Sequence, residues 1–407
     1  MRRPAWSRVS LVELCESPDH IRCGPFGTQL SKGEFRGAGV PLWGIKHVNA
    51  EFHLHTEEFV APETAKRLIN YDLRSGDLVM TRKGTIGNCA VYPKGFSAGI
   101  MHSDLLRLRL DPCKADPSFL VHQLHHSADV HRQLSLISGG AVMPGINVGK
   151  LKKLEVWVPP LDEQKRIAAI LDAADALRAK RREALAQLDT LVQSVFLDMF
   201  GDPVTNPMGW SVEALHSLLE EKAINGAYYP KEAYCDHGTP MVAMADAFYG
   251  IVDVGKVKRV DVPAGDLRKY GLRSTDLLVS RRSLNYEGSA KPCRIPETDE
   301  RLIFESSLIR VRPDLEAVHT VYLFHYLQNE RARARYVFPL VTRSTISGIN
   351  QSNLMKVKIV VPALSLQRHF AAIVESVEKQ KAVQRAHLAE LDTLFASLQS
   401  RAFRGEL

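Results

Sequence analysis

Leu188-Asp189-Thr190-Leu191 returns as Leu391-Asp392-Thr393-Leu394, and this repetition decides the fold. Working upstream, Gln164 returns as Gln367, Val158-Pro159 as Val361-Pro362, and Gly145-Ile146-Asn147 as Gly348-Ile349-Asn350, every pair 203 positions apart. A constant offset over that distance means no net insertion or deletion. Further upstream the match loosens. Leu73-Arg74-Ser75-Gly76-Asp77-Leu78 resembles Leu272-Arg273-Ser274-Thr275-Asp276-Leu277 at an offset of 199, and Gly209-Trp210-Ser211 echoes Ala5-Trp6-Ser7. A unit half the chain long is a duplicated architecture and not a small-period solenoid. Each copy has a divergent front part and a well-matched back part, which suits two copies of one design whose front parts do different jobs.

The back parts read as long helices. From about Asp162 to Phe200 there is no Gly or Pro, and strong helix formers dominate. Ile167, Ile170, Ala174, Leu177, Arg181, Ala184, Leu188, Leu191 and Val195 alternate spacings of three and four, a heptad seam with one charged break. Pro159-Pro160 marks its start and Gly201-Asp202-Pro203 its stop. The second copy runs from about Leu366 to Phe403, with a seam of Phe370, Ile373, Val377, Gln380, Gln384, His387, Leu391, Leu394 and Leu398. Each helix spans about 60 Å at 1.5 Å per residue. No single domain covers that length, so the simplest burial is against the other copy, antiparallel or parallel.

The front parts read as α/β modules. Asp77–Arg82 and Asp276–Arg281 are expected strands, and Ser103–Arg109 and Ser306–Arg312 alternate as half-exposed strands do. Helical stretches follow over Pro117–Leu136 and Val318–Tyr336. The expected boundaries are residues 1–158 and 202–361 for the modules, and 159–201 and 362–407 for the helices.

Candidate binding residues fall in loops at matching places. Arg82, Lys83 and Thr85 follow one strand, and Arg281, Arg282 and Asn285 follow its counterpart. Arg and Lys neutralise phosphate or read guanine, and Asn and Ser reach base edges. Arg343 and Ser344 in Thr342-Arg343-Ser344-Thr345, and the matching Gly139-Gly140-Ala141-Val142, precede the Gly-Ile-Asn motif. Lys46, Lys94 and Lys291 are further basic candidates. The net charge of +7 favours a polyanionic partner.

The six cysteines form no C-x-x-C pair, which leaves a zinc ribbon or thioredoxin-type site without support and suits a reducing compartment. His122, His125, His126 and His131 share one expected helix but have no Cys or carboxylate at ligand spacing, so no metal is expected. There is no apolar run of membrane-spanning length and no signal-peptide core, so a soluble, cytoplasmic chain is expected.

At Val158-Pro159-Pro160-Leu161-Asp162-Glu163-Gln164, opening a long helix, the chain resembles the central region of type I restriction-modification specificity subunits. Gly145-Ile146-Asn147, Gly84-Thr85-Ile86-Gly87 and the plan of variable domain, helix, variable domain, helix resemble that family as well. The resemblance implies two α/β target recognition domains, each reading half of a split double-stranded DNA site. It implies that the two long helices pair as an antiparallel coiled coil, giving an internal pseudo-twofold repeat, and act as a ruler between half-sites. Two modification subunits, adenine-N6 methyltransferases using S-adenosylmethionine, are implied partners, joined by restriction subunits that translocate on DNA with ATP and Mg. The specificity subunit is itself non-catalytic and carries no cofactor. The second copy departs from the pattern, with Ala363 for the second proline, Leu366 where Glu163 stands, and a loop Arg282–Gly288 without the Gly-Thr-Ile-Gly form.

An enzyme is the first rival. Asn206-Pro207-Met208 fails the amino-methyltransferase motif, there is no G-x-x-x-x-G-K-[ST] loop, and Glu163-Gln164-Lys165 lacks an upstream acidic partner. The other rivals are a coiled-coil scaffold that binds no DNA, which would lack paired basic loops, and a specificity subunit serving a methylation-only system.

Overall fold

The computed structural model describes residues 6–138, 145–343 and 345–407. Two compact units divide the chain: Met1–Arg182 with Ala386–Leu407, and Glu183–Arg385.

The α/β domain of the first unit contains β1 (Ser7–Ser10), β2 (Ile21–Cys23), a short helix α1 (Ile45–Asn49), the hairpin β3 (Leu78–Thr81) and β4 (Cys89–Val91), and β5 (Leu105–Leu108). The sheet order is β2-β5-β3-β4, antiparallel throughout. Shorter strands, including Val40–Trp43 and Gly99–Met101, make a second sheet. The half-exposed strand expected around β5 is instead covered on both faces. Its Arg107 is buried because Nη1 donates to the Asp72 carbonyl at 2.6 Å and to Asp72 Oδ1 at 2.9 Å. Arg109 donates twice to Asp77, at 2.8 Å each. Paired guanidiniums let an alternating strand be enclosed without stranding a charge.

Next come α2 (Pro117–His126), capped by Asp116, then α3 (Ala128–Ser138), α4 (Val148–Lys152) and β6 (Glu155–Val158). The single helix expected here breaks at Ser127, whose backbone is extended. Strand β6 pairs with β1, Ser7 opposite Val158, closing the domain just before α5 (Leu161–Phe200) begins. Gln164 fastens that junction. It is fully buried, accepts the Asp116 N–H at 2.9 Å, and donates to the carbonyls of Lys114 (3.0 Å) and Pro159 (2.9 Å).

The second unit repeats the plan with β7 (Ser211–Ala214), β8 (Leu219–Asn225), β9 (Leu277–Ser280), β10 (Arg282–Ser283), β11 (Pro292–Arg294), β12 (Leu308–Pro313), α6 (Thr320–Gln328), β13 (Ser347–Gly348), α7 (Gln351–Leu354), β14 (Lys358–Val361) and α8 (Leu364–Ala402). Sheet order β8-β12-β9-β11 matches the first domain. Strand β12 is likewise buried throughout, with Arg312 donating to both oxygens of Asp276 at 2.7 and 2.8 Å. Gln367 repeats the latch, accepting the His319 N–H at 2.8 Å and donating to the Pro362 carbonyl at 2.8 Å.

Both units close on the long helices. In the first, Ile167, Leu171 and Ala174 from the start of α5 share a core with Phe395, Ala402 and Phe403 from the end of α8. In the second, Val192, Phe196 and Phe200 from the end of α5 share one with Phe370, Val374 and Val377 from the start of α8. Start meets end in both, so the helices run antiparallel. A charged triad marks each pairing. Arg178 lies 2.6 Å from Asp392 and 2.5 Å from Asp175. At the positions 203 residues away, Lys381 lies 2.6 Å from both Asp189 and Glu378.

The seam differs in part from the expected one. Ile167, Phe370 and Val377 are buried, and Ile170, Leu188, Ile373 and Leu391 are half-buried. Leu177, Leu191 and Leu394 are instead 54%, 45% and 50% exposed. Near them the buried stripe passes through Val192 and Phe395, with Arg178 half-buried beside them. Selecting leucines by spacing passed over a cation whose charge is met in the seam by carboxylates from both helices.

Candidate nucleic-acid interface

The candidate loops sit on one shared frame. In the first domain the Thr81 N–H donates to the Asn88 carbonyl (2.8 Å), and the Gly87 N–H donates to that of Thr81 (3.1 Å). In the second, the Ser280 N–H donates to Lys291 (3.0 Å) and the Ala290 N–H to Ser280 (2.9 Å). Between these matched bonds, one turn spans residues 82–88 and the other 281–291, four residues more. The repeat offset changes from 199 to 203 here, so the halves differ in length at the turn that carries the basic candidates.

Arg82 and Arg281 open these turns, half-buried. The Arg82 N–H donates to the Asp104 carbonyl (2.8 Å) and its carbonyl accepts the Ile146 N–H (3.3 Å). Arg281 does the same with Ser307 (2.9 Å) and Ile349 (3.0 Å). Arg82 Nε also donates to the Ile146 carbonyl at 3.1 Å. The Gly-Ile-Asn motif therefore braces the turn. Its isoleucines are buried, and Asn147 and Asn350 cap α4 and α7 by accepting the N–H groups of Lys150 and Asn353, 2.8 Å each.

In the first domain Thr85 and Asn88 both donate to Asn49 Oδ1 at 2.8 Å. This bond brings α1 to the turn, and Lys46, three residues before Asn49, shares its helix face. Lys83 lies 3.2 Å from Asp104. Lys46, Lys83 and Thr85 are exposed and grouped together. Lys94 is not with them. It follows β4 at the other end of the hairpin, where the Tyr92 N–H donates to the Asp77 carbonyl (2.8 Å).

In the second domain Arg282 pairs with Gly348 across β10 and β13. The Asn285 N–H donates to Ser283 Oγ at 3.2 Å. Arg343 lies 4.0 Å above the Tyr286 ring, whose hydroxyl donates to the Phe338 carbonyl at 2.8 Å. Lys291 Nζ lies 5.9 Å from the Phe248 ring. Arg282 and Asn285 therefore lie on one exposed turn, with Leu284 82% exposed at its tip, and Arg343 reaches it from the segment that follows Phe338. Arg333 fixes the returning limb, donating to the carbonyls of Glu287, Ser289, Ala290 and Leu327 at 2.8–3.1 Å. A cleft of about 920 Å³ runs beside the turn, lined by Leu284, Asn285, Lys291, Gln193, Leu197 and Met244 among others. Ser344 and Gly139-Gly140-Ala141-Val142 lie outside the described residues.

His122 and His125 are packed, whereas His126 and His131 are exposed. His122 Nε2 lies 2.6 Å from Asp172 Oδ1 of α5, and His125 Nε2 accepts the Cys89 N–H at 3.1 Å. Among the described residues, no three His, Cys, Asp or Glu side chains are grouped to hold a metal, and no helix is long and apolar enough to cross a membrane.

A family model for the type I restriction modification DNA specificity domain matches residues 5–187 and again residues 207–393. The chain belongs to that family. It is similar to the EcoKI specificity subunit of Escherichia coli, 25% identical over 71% of this chain and 65% of that one. To the EcoBI specificity subunit of Escherichia coli it is 21% identical over 99% and 86%. Its fold matches the crystal structure of a type I restriction-modification S subunit from M. genitalium, with a TM-score of 0.59 over 99% of this chain and 97% of that one, at 13% identity. A specificity subunit is a non-catalytic recognition component of the type I enzyme complex, and this chain is one.

Sequence reasoning about this specificity subunit missed Asn49, which organises the first turn, and Arg333, which holds the second. It also missed two exposed aromatics, Phe26 and Tyr228. A Gly-x-aromatic pattern at Gly24-Pro25-Phe26 and Gly226-Ala227-Tyr228 was the available signal, but its offset of 202 matches neither 199 nor 203.

Proposed function

We propose that this chain binds a bipartite, asymmetric site in double-stranded DNA, one recognition domain to each half-site, and directs adenine-N6 methylation and restriction by partner subunits. One observation carries the reading: two domains share a hairpin frame and differ, by four residues and by side chain, in the basic turn it displays. Lys46, Lys83 and Thr85 on one side and Arg282, Asn285 and Arg343 on the other are the base- and phosphate-contacting candidates. Arg82, Arg281 and Lys291 support them, and Lys94 serves at most as a phosphate contact. Basic residues fix position, and the differing tips read sequence.

Two methyltransferase subunits are the proposed partners, using S-adenosylmethionine, with ATP- and Mg-dependent restriction subunits completing the complex. Leu191 and Leu394 support a pair of equivalent docking points, because they are matched across the repeat and both lie exposed on the helices. Leu191→Glu and Leu394→Glu should each remove one methyltransferase copy, read as a change in complex mass, and the double variant should remove both.

The deciding experiment co-expresses the chain with its methyltransferase partner and maps adenine methylation across a genome. A split, asymmetric motif that depends on this chain supports the reading. A formed complex with no methylation favours a scaffold.

A further inference from the structure

Phe26 and Tyr228 occupy the same place in the two domains. Strand β2 pairs with β5 so that Cys23 faces Leu106, and β8 pairs with β12 so that Asn225 faces Ile309. The next N–H groups, of Gly24 and Gly226, donate to the carbonyls of Leu105 (3.0 Å) and Leu308 (3.3 Å). At both glycines the chain runs hard against a neighbour. A Cβ on Gly24 would collide with the His102 carbonyl, and one on Gly226 with those of Phe304 and Glu305. Two residues later each chain presents an aromatic ring to solvent, Phe26 at 56% exposure and Tyr228 at 81%.

Both residues lie on chain that adjoins the candidate turns. The Arg82 guanidinium is 5.9 Å from the Phe26 ring. Ala227, next to Tyr228, accepts the Ser306 N–H at 2.8 Å, and the Ser306 carbonyl accepts from Arg281 at 3.4 Å. The turns differ between domains, whereas the ring recurs, so the ring suits a task that both half-sites require whatever their sequence. Methylation at adenine N6 supplies such a task, because the target base must leave the stack before its amino group can be reached. Apolar side chains that enter a base step unstack it, and a cationic surround holds the phosphates meanwhile.

We propose that Phe26 and Tyr228 are a matched pair of wedges, each entering the DNA beside the target adenine of its own half-site and easing that base out of the helix. This rests on the reading of the chain as a director of adenine methylation. The rings position the base and take no part in methyl transfer.

The test uses the full chain assembled with its methyltransferase subunits, on a duplex carrying the split motif found by methylation mapping. Phe26→Ala should slow single-turnover methylation of one half-site adenine by about tenfold and leave the other unchanged. Tyr228→Ala should do the converse, and Tyr228→Phe should behave as the parent. A mismatch opposite the affected adenine, which removes the need to break its pair, should restore the rate. With 2-aminopurine at the target position, the fluorescence rise on binding should fall in the matching alanine variant. The proposal is overturned if both adenines slow together, if the mismatch gives no rescue, or if only DNA affinity falls. It is also overturned if the variants shed methyltransferase subunits, which would make the rings a protein-docking feature. If the parent complex methylates no split motif, the recognition reading itself fails.

Discussion

Asp276 has no exposed surface, and both its oxygens hold Arg312, while it also accepts the Arg273 N–H at 2.8 Å. Removing it leaves a buried guanidinium with Glu221 as its remaining carboxylate, 2.8 Å away. Asp276→Ala should cost about 3 kcal/mol in urea denaturation of the full chain. One half-buried imidazole gives the molecule a pH dependence. Burial, with Arg294 and Lys381 nearby, holds His325 at about 3. An unfolded histidine titrates near 6.5, so the unfolded chain gains protons first as pH falls. Stability is fully present above about pH 6.5 and declines towards the folded value. His325→Phe should flatten this decline, seen in denaturation midpoints measured from pH 7.5 to 4.5. Sequence alone gave little of this. Arg107, Arg109, Arg310 and Arg312 alternate with apolar residues as a solvent face does, and only their partners, 32 to 91 positions away, show that the face is closed.

Among elements, the turn after β9 stands out because it is long and yet held. Arg333 binds three carbonyls of it, those of Glu287, Ser289 and Ala290, so Arg333→Ala should free the segment 284–290. Hydrogen exchange there should quicken while β9 and β12 stay protected, and discrimination at one half-site should weaken while the other keeps its preference. The strands bearing both turns were legible, since Asp77–Arg82 and Asp276–Arg281 cover β3 and β9. The long helices were legible as well, running Leu161–Phe200 and Leu364–Ala402 against expected starts at Asp162 and Leu366. The helix face was legible only in part. A stripe that includes Arg178 and Lys381 carries weaker apolar periodicity than one drawn through Leu177, Leu191 and Leu394, and the carboxylates that make those cations acceptable come partly from the other helix.

For the whole molecule, the duplicated plan was readable from a constant offset, because both copies fold on the same frame. The proposed DNA-contacting side chains were not, because a turn's chemistry depends on what braces it. If the helix pair measures the gap between half-sites, inserting seven residues beside Arg181 and seven beside Gln384 preserves the seam and adds about 10 Å. Methylation mapping should then report a gap longer by about three base pairs. Four-residue insertions, which break the heptad, should abolish methylation or scatter the spacing, and an unchanged gap in both cases would end the ruler idea.

The frame beneath the turns also bears on how such a chain changes over generations. Thr81 with Asn88, and Ser280 with Lys291, close the same hairpin over different lengths. A gene can therefore gain or lose codons between those points without disturbing the strands, the Gly-Ile-Asn brace or the glutamine latches. If these turns read the target, drift confined to so short a window would let a lineage acquire a new one while the rest of the chain stays intact. In a population pressed by invading DNA, variants that differ mainly in these windows would be the cheapest novelty for selection to act upon.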